Sequence, residues 1–233
     1  MDLFFKLFGT PKEEIKLHCI ICPSNDQSLF SSNKSCKQSR GLFFSVLNTS
    51  FASIISTRNN FLIGDCVLAL KDTACKNIYL FGSCAGTGNM NIGDKVIVEN
   101  SYSLDSFTQM TKNSNNFEVC SANKELLDKL ISFGANENLM SVNCATVSSL
   151  LLEEKYLGYF AEQKISCIDM ETSIVFSAAA LTKKNAVSLL YVTDILSKKK
   201  FHEALSQKEK SSILNSRKSL SNLIINFIKN DIR

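Results

Sequence analysis

The stretch from Cys167 to Ile195 constrains the fold more than any other part of the sequence. After an acidic turn, apolar residues recur at helical spacing and predict a helix with a face to bury: Ile174, Val175, Ala178 and Leu181. The polar residues 183–185 interrupt this pattern, and the mostly apolar run 187–193 follows. A run of this kind is typical of a strand that is covered on both faces. A helix that leads into a buried strand indicates an α/β fold.

Two acidic residues mark the two ends of this unit. Glu171 lies in the first turn of the predicted helix, where the helix dipole favours a negative charge, and Asp194 follows the strand. Open α/β sheets bind their ligands outside the carboxyl ends of the strands. Taken singly, Glu171 is explained as a dipole-matched helix start and Asp194 as a cap on the next turn. Their order and spacing together indicate a functional site.

The Met170-Glu171 dipeptide and Asp194 resemble a motif of the nucleoside phosphorylase family. This family includes purine and uridine phosphorylases and the methylthioadenosine/S-adenosylhomocysteine nucleosidases. In it, the glutamate accepts hydrogen bonds from the ribose hydroxyls, the methionine packs on the sugar, and the later aspartate handles the purine. The resemblance therefore implies that Met170 and Glu171 bind ribose. It also implies that Asp194 is the catalytic general acid at N7 of the purine.

A second signature of the same family follows a predicted strand over 77–81. Gly82 to Gly88 is rich in glycine, and Ile92-Gly93-Asp94 then introduces another strand. Backbone N–H groups in such a loop could bind an anion or a reactive oxygen. The loop lacks the third glycine of a dinucleotide-binding fingerprint and the Gly-Lys-Ser/Thr of a P-loop. By the resemblance, Gly82 and Ser83 lie at the phosphate or at the attacking water.

The sequence departs from the family at the phosphate site. Phosphorylases of the family usually have an arginine where this chain has Leu80, and a phosphate dianion favours guanidinium contacts. Arg58 and Arg40, in nearby loops, are candidate replacements. The nucleosidase branch lacks that arginine and activates water with a glutamate after the first strand, near Asn25 and Asp26 here. Inorganic phosphate as co-substrate and water as nucleophile both stay open, with the missing arginine favouring water.

Val147 ends a predicted strand over 140–147 and is a candidate for the pocket that holds the base, with core packing as the alternative. His18 and His202 have no partner at a catalytic spacing, although His202 could approach the site from the loop after Asp194.

Length and segment pattern indicate an N-terminal arm (1–16) and one domain (17–233). Residues 1–8 are interpreted as a loose amphipathic arm or as part of an interface. The resemblance implies a central mixed, twisted and partly barrel-like β-sheet flanked by helices, as in the phosphorylase/hydrolase-like folds. It further implies a homo-oligomer, either a dimer or a hexamer.

Composition excludes several other classes of protein. A net charge of +4 with dispersed lysines gives no case for nucleic acid as a partner. The nine cysteines are odd in number and scattered, which favours buried thiols in a reducing cytoplasm over disulfides. The Cys19-x-x-Cys22 spacing has no second pair or nearby histidine, so no metal site is expected there. A bound cofactor is not expected either. The sequence has no run of 18 apolar residues, so no membrane span is predicted.

The leading hypothesis is an enzyme that cleaves the N-glycosidic bond of a purine-type nucleoside, by phosphorolysis or by hydrolysis. The alternative is a non-catalytic nucleoside-binding or sensor protein on the same scaffold, motivated by the altered phosphate elements. A dinucleotide-binding domain is a third reading, and the incomplete glycine fingerprint argues against it.

Overall fold

A computed structural model of the chain describes residues 2–23, 26–31, 36–57, 59–106 and 117–232, without the side chains of Asp26 and Asn60. Within these residues ten strands form one sheet: β1 (His18–Cys22), β2 (Lys37–Arg40), β3 (Phe44–Asn48), β4 (Ser53–Thr57), β5 (Asn77–Gly86), β6 (Lys95–Leu104), β7 (Val119–Ser121), β8 (Leu139–Val147), β9 (Ile165–Asp169) and β10 (Asn185–Ile195). The α-helices are α1 (Leu3–Phe8), α2 (Ile63–Ala69), α3 (Lys124–Phe133), α4 (Leu157–Glu162), α5 (Thr172–Thr182) and α6 (Gln207–Asp231).

Part of the sheet closes on itself. The strands are hydrogen-bonded in the order β10-β6-β8-β9-β5-β1-β4-β3-β2, and β10 also pairs with β5. That extra pairing joins β10, β6, β8, β9 and β5 into a ring. β1, β4, β3 and β2 extend outwards from β5, and β7 pairs with β6. The sheet mixes parallel pairs, such as β5 with β10, and antiparallel pairs, such as β6 with β10. The predicted mixed and partly barrel-like α/β fold is therefore confirmed.

Helices cover both faces of β5 and β10. Ile78 and Leu80 of β5 share a core with Val175 and Ala179 of α5 on one face. On the other face, the alternate strand residues Tyr79, Phe81, Val187 and Leu189 share a core with Leu220 and Ile224 of α6. Successive side chains of a strand point to opposite faces. Burial on both faces thus explains why most residues of β10 are apolar.

Two segments differ from what their sequences predict. Apolar residues over 59–75, among them Leu62, Val67 and Leu70, predict a helix, but the structure has the short α2 between single 3₁₀ turns at Asn60–Leu62 and Leu70–Asp72. The sequence over 150–163 also predicts a helix, but the structure has a 3₁₀ turn at Glu153–Tyr156 followed by α4. Residues 101–117, which the sequence left unassigned, include the end of β6, and residues 107–116 lie outside the described chain.

The N-terminal segment is anchored to the core and is not a loose arm. It forms α1, in which Phe4 and Phe8 are buried and stack with their ring centroids 4.3 Å apart. Phe8 also contacts Phe44 of β3, with a centroid distance of 4.6 Å. Burial of large aromatic side chains explains why this short helix is held.

Across the described residues, the structure contains no helix with the length and apolar character needed to cross a lipid bilayer.

Candidate active site

The carboxyl ends of four strands surround one cavity of about 250 Å³. The cavity lies where β5, β8, β9 and β10 come to their ends, which is the position that α/β sheets use for ligands. Its lining includes five of the residues that the sequence analysis selected: Ser83, Val147, Met170, Glu171 and Asp194. The structure therefore brings together side chains that lie more than a hundred positions apart in the chain.

Glu171 lies between β9 and the first residue of α5, as the residue that precedes the helix and not within its first turn. Its side chain is 8% exposed, and the backbone N–H of Met170 donates a hydrogen bond to its Oε2 at 3.3 Å. Burial, together with the nearby charge of Asp169, raises the pKa of Glu171 to about 8. The carboxyl group of Glu171 is therefore largely neutral at pH 7.

Asp169 is a site residue that the sequence analysis missed. Its Oδ2 accepts hydrogen bonds from the backbone N–H and the hydroxyl of Thr172, so it caps the start of α5. Its Oδ1 accepts a hydrogen bond from the hydroxyl of Thr146 on β8 at 2.8 Å. These bonds tie β8, β9 and α5 together and fix the turn that carries Met170 and Glu171. An aspartate three residues before a threonine at a helix start is a capping signal that could have identified it.

Asp194 lies inside β10, one residue before the strand ends, and not after the strand as the sequence suggested. A shift in the pairing of β10 with β5 occurs between Val192 and Asp194. A β-bulge of this kind re-aims side chains next to active sites. Asp194 is 9% exposed and accepts a hydrogen bond from the Thr193 hydroxyl at 2.8 Å. Burial raises the pKa of Asp194, and the Thr193 hydrogen bond opposes part of that rise.

The glycine-rich stretch is a strand for most of its length. β5 continues to Gly86, and Gly82 to Cys84 pair with β10. The prediction that these residues form a loop with free backbone N–H groups is therefore wrong on the side that pairs with β10. On the other side, β1 pairs with β5 only as far as Leu80, and β9 pairs with it from Ala85 onwards. Phe81 to Cys84 thus have no strand partner there among the described residues.

Ser83 and Gly82 take different positions on this strand. Ser83 is exposed and lines the cavity, whereas Gly82 is buried and is not among the lining residues. A side chain at Gly82 would point towards Leu190, 3.7 Å from its Cδ2. Alternation along the strand explains the difference. Ser83 is an exposed member of the signature in the cavity lining, which also includes Cys84 and Ala85.

Glu153 is a second residue that the sequence analysis missed. It lies in the 3₁₀ turn after β8, is 4% exposed and lines the same cavity as Asp194. Burial and the negative charges of Asp194 and Glu154 raise the pKa of Glu153 to about 7. The Leu-Leu-Leu-Glu-Glu sequence carries no signal that marks the first of the two glutamates as buried.

Among the described residues, no loop residue that was considered for phosphate binding or water activation lines this cavity. Arg58 and Asn25 lie outside the described residues, as does the side chain of Asp26. Arg40 is exposed and lines a different cavity beside Leu42 and Phe43.

The cavity is rich in carboxyl groups. Within the described chain its lining includes four of them and no lysine, arginine or histidine: Glu153, Asp169, Glu171 and Asp194. Lys200 and His202 line a smaller adjoining cavity of about 150 Å³, which shares Glu153 and Asp194. A site of this composition favours ligands that donate hydrogen bonds or develop positive charge, and it disfavours a phosphate dianion.

Solved structures with this fold come from several nucleoside-cleaving proteins. A methylthioadenosine/S-adenosylhomocysteine nucleosidase from Campylobacter jejuni superposes with a TM-score of 0.74 at 12% identity, covering 93% of this chain and 99% of that one. A uridine phosphorylase from Vibrio fischeri gives a TM-score of 0.73 at 14% identity, with coverages of 94% and 95%. The futalosine hydrolase of Helicobacter pylori gives 0.69 at 10% identity, with coverages of 93% and 99%. At these identities the likeness concerns the fold.

Comparison with curated protein sequences finds no significant match. A family model described as the Phosphorylase superfamily matches residues 65–229, a range that includes both sequence signatures and every described residue of the cavity. On this evidence the chain is a member of the phosphorylase superfamily, the group of nucleoside phosphorylases and nucleosidases.

Proposed function

We propose that this protein cleaves the N-glycosidic bond of a purine-type nucleoside and that water is the nucleophile. The observation that carries the proposal is that Glu171 and Asp194, 23 positions apart in the chain, line one buried cavity. Membership of the superfamily and the likeness to both nucleosidases and phosphorylases support the reaction class.

The proposed role of Glu171 is to hold the ribose. Two sugar hydroxyls that donate to one carboxylate favour its charged form, so ligand binding lowers the raised pKa of Glu171 and releases a proton. The half-buried Met170 next to it supplies an apolar surface for the sugar. Together they hold C1′ of the nucleoside in a fixed position relative to the nucleophile.

The proposed role of Asp194 is at the base. When the C1′–N bond breaks, its electron pair moves to the base and the sugar becomes an oxocarbenium ion. Asp194, whose pKa is raised by burial, supplies a proton or a hydrogen bond to the purine nitrogen N7. Val147 and Leu150 line the same region and provide an apolar wall for the base.

The choice of water over phosphate rests on charge. The described lining places four carboxyl groups and no basic side chain around the ligand space. Negative charge stabilises an oxocarbenium ion, whereas it repels the attacking phosphate dianion. Leu80, at the position of the usual family arginine, is fully buried in β5 and adds no cation. Ser83 is the proposed contact for the attacking water.

Product analysis tests this proposal. A panel of purine and pyrimidine nucleosides is incubated with the protein, each with and without inorganic phosphate, and free base, free ribose and ribose 1-phosphate are measured. Free base and free ribose, with no requirement for phosphate, are the expected products. Ribose 1-phosphate would overturn the assignment of water. Thermal stabilisation by a nucleoside that is recovered intact would favour the sensor alternative.

A further inference from the structure

Glu153 has no part in the chemistry described above, although it is among the most deeply buried ionisable residues of the cavity. Its side chain is 4% exposed, and its Oε2 has no hydrogen-bond partner among the described residues. A buried polar oxygen without a partner destabilises the folded protein, so such atoms are rare in native structures. A proton on the carboxyl group, or a hydrogen bond to a ligand, removes that cost.

Glu153 and Asp194 approach the ligand space from two different elements. The 3₁₀ turn after β8 carries Glu153, and the end of β10 carries Asp194. Both residues line the 250 Å³ cavity and also the adjoining cavity of 150 Å³, so they lie where the two cavities meet. Two carboxyl groups that are buried at one place cannot both ionise without a large electrostatic cost.

Few other charged groups surround this pair. On the side of the larger cavity, the other ionisable groups in the described lining are the carboxyls of Asp169 and Glu171, together with the buried Cys84 thiol. On the side of the adjoining cavity are Glu154, Lys200 and His202. Lys200 is already ion-paired with Glu154 at 2.7 Å.

We propose that Glu153 and Asp194 form a carboxyl pair that holds a single proton at the base-binding end of the cavity, and that this proton is transferred to the departing base. This inference rests on the proposed function and adds a second acid to it. A pair that shares one proton keeps that proton available at neutral pH, where an isolated surface aspartate has lost it.

The reaction balances as a hydrolysis. The C1′–N bond breaks and its electron pair stays on the base, which takes the proton from the pair and leaves as the neutral base. The pair is left with one more negative charge, facing the oxocarbenium ion. The oxygen of water bonds to C1′, and the proton that this water loses restores the pair.

The titration of Asp194 tests the pair without any assumption about substrate. The side-chain carboxyls of aspartate are labelled with ¹³C, and the signal of Asp194 is identified by its loss in Asp194→Asn. In the wild-type protein we expect this signal to titrate in two steps, because the two carboxyls are coupled. In Glu153→Gln we expect one step, shifted to lower pH by about one unit, because the neighbouring negative charge is gone.

Two further variants complete the test. Glu162→Gln, an exposed glutamate on α4 that lines neither cavity, is the matched control and should leave the Asp194 titration unchanged. Glu153→Asp keeps the acid and should keep two steps, which covers the case in which Glu153→Gln does not fold. A single Asp194 step at the same pH in wild type and Glu153→Gln would overturn the pair.

The pH dependence of kcat/KM provides the functional arm. If the pair supplies the proton, Glu153→Gln moves the alkaline limb of the profile to lower pH by about one unit, and Glu162→Gln does not. A purely structural role of Glu153 would lower the rate at every pH without moving the limb. If wild type releases base and Glu153→Gln has its alkaline limb at the same pH as wild type, the pair is rejected and the proposed function stands. A wild-type protein that releases no base from any nucleoside would reject the function, and the titration would then decide the pair alone.

Discussion

At the scale of single residues, the site is built from carboxyl groups kept in places that disfavour their charge. Glu171 and Asp194 are each less than a tenth exposed, and no basic side chain in the described lining compensates them. Buried carboxylates destabilise the folded protein. Acids with a shifted pKa in a cavity are therefore typical of functional sites.

Asp194→Asn should lower the rate of base release by roughly 10²–10⁴-fold, because the amide keeps the shape but cannot supply a proton. The effect should fall on kcat/KM with little change in the melting temperature. Initial rates of base release at saturating and limiting nucleoside measure it. Asp128→Asn, at an exposed ion pair with Lys124, is the control and should retain full activity. Equal rates in Asp194→Asn and wild type would contradict the role of Asp194.

Glu171 should make the stability of the protein depend on pH. Its pKa is about 8 in the folded protein, against an ordinary value of 4.5 for a glutamate. Between these values the folded protein keeps a proton that the unfolded chain releases, so the contribution of Glu171 to the free energy of unfolding falls as pH rises from 4.5 to 8. Glu171→Gln has no such proton.

We therefore expect Glu171→Gln to melt at a temperature several degrees higher, relative to wild type, at pH 8.5 than at pH 4.5. Thermal denaturation of both proteins at the two pH values measures the difference. A gap between the two melting temperatures that is the same at both pH values would show that Glu171 is ionised in the folded protein.

At the scale of secondary-structure elements, the turn between β9 and α5 determines the site geometry. Asp169 accepts hydrogen bonds from Thr146 and Thr172, and Thr146 in turn accepts one from the backbone N–H of Ser173 at 2.8 Å. The turn that carries Glu171 is thus held from both β8 and α5.

Asp169→Ala should lower the free energy of unfolding by about 1–3 kcal/mol, because it leaves the buried backbone N–H of Thr172 without its acceptor and removes the hydrogen bond from the Thr146 hydroxyl. Chemical denaturation measures the loss. The same variant should weaken nucleoside binding, because the turn is no longer fixed. Asp128→Ala, whose carboxylate is exposed, should cost less than 1 kcal/mol. A loss for Asp169→Ala as small as that of the control would show that the network does not hold the turn.

The sequence predicted most of the strands, because apolar runs such as those of β1, β8 and β10 follow directly from burial. It also predicted that Met170, Glu171, Ser83 and Asp194 belong to one site. The ends of the strands were harder to predict. The sequence from Gly82 to Gly86 predicts a loop, yet tertiary pairing with β10 extends β5 through it. Glu153 could not be found, because the tertiary packing that buries it leaves no local pattern in the sequence.

At the scale of the whole molecule, the fold leaves large apolar side chains exposed near one end of the sheet. Leu42 is 72% and Phe61 is 90% exposed, and Leu42 lines a cavity that also includes Phe43 and Arg40. Apolar surface of this kind marks contact sites between proteins.

We expect the protein to be a homo-oligomer that uses this surface. Sedimentation velocity should give the mass of two or more chains, and Phe61→Ser should shift the equilibrium towards the single chain without lowering the melting temperature of the isolated subunit. A wild-type protein that sediments as a single chain at micromolar concentration would contradict the oligomer.

We propose that Glu171 and Asp194 hold the two ends of one nucleoside in the 250 Å³ cavity. A crystal structure with a C-nucleoside, in which a carbon–carbon bond replaces the scissile bond, tests this arrangement. We expect ribose hydroxyls within hydrogen-bond distance of the Glu171 carboxylate and a ring nitrogen of the base within hydrogen-bond distance of Asp194. A ligand bound in another cavity, or with its base on Glu171 and its sugar on Asp194, would contradict it.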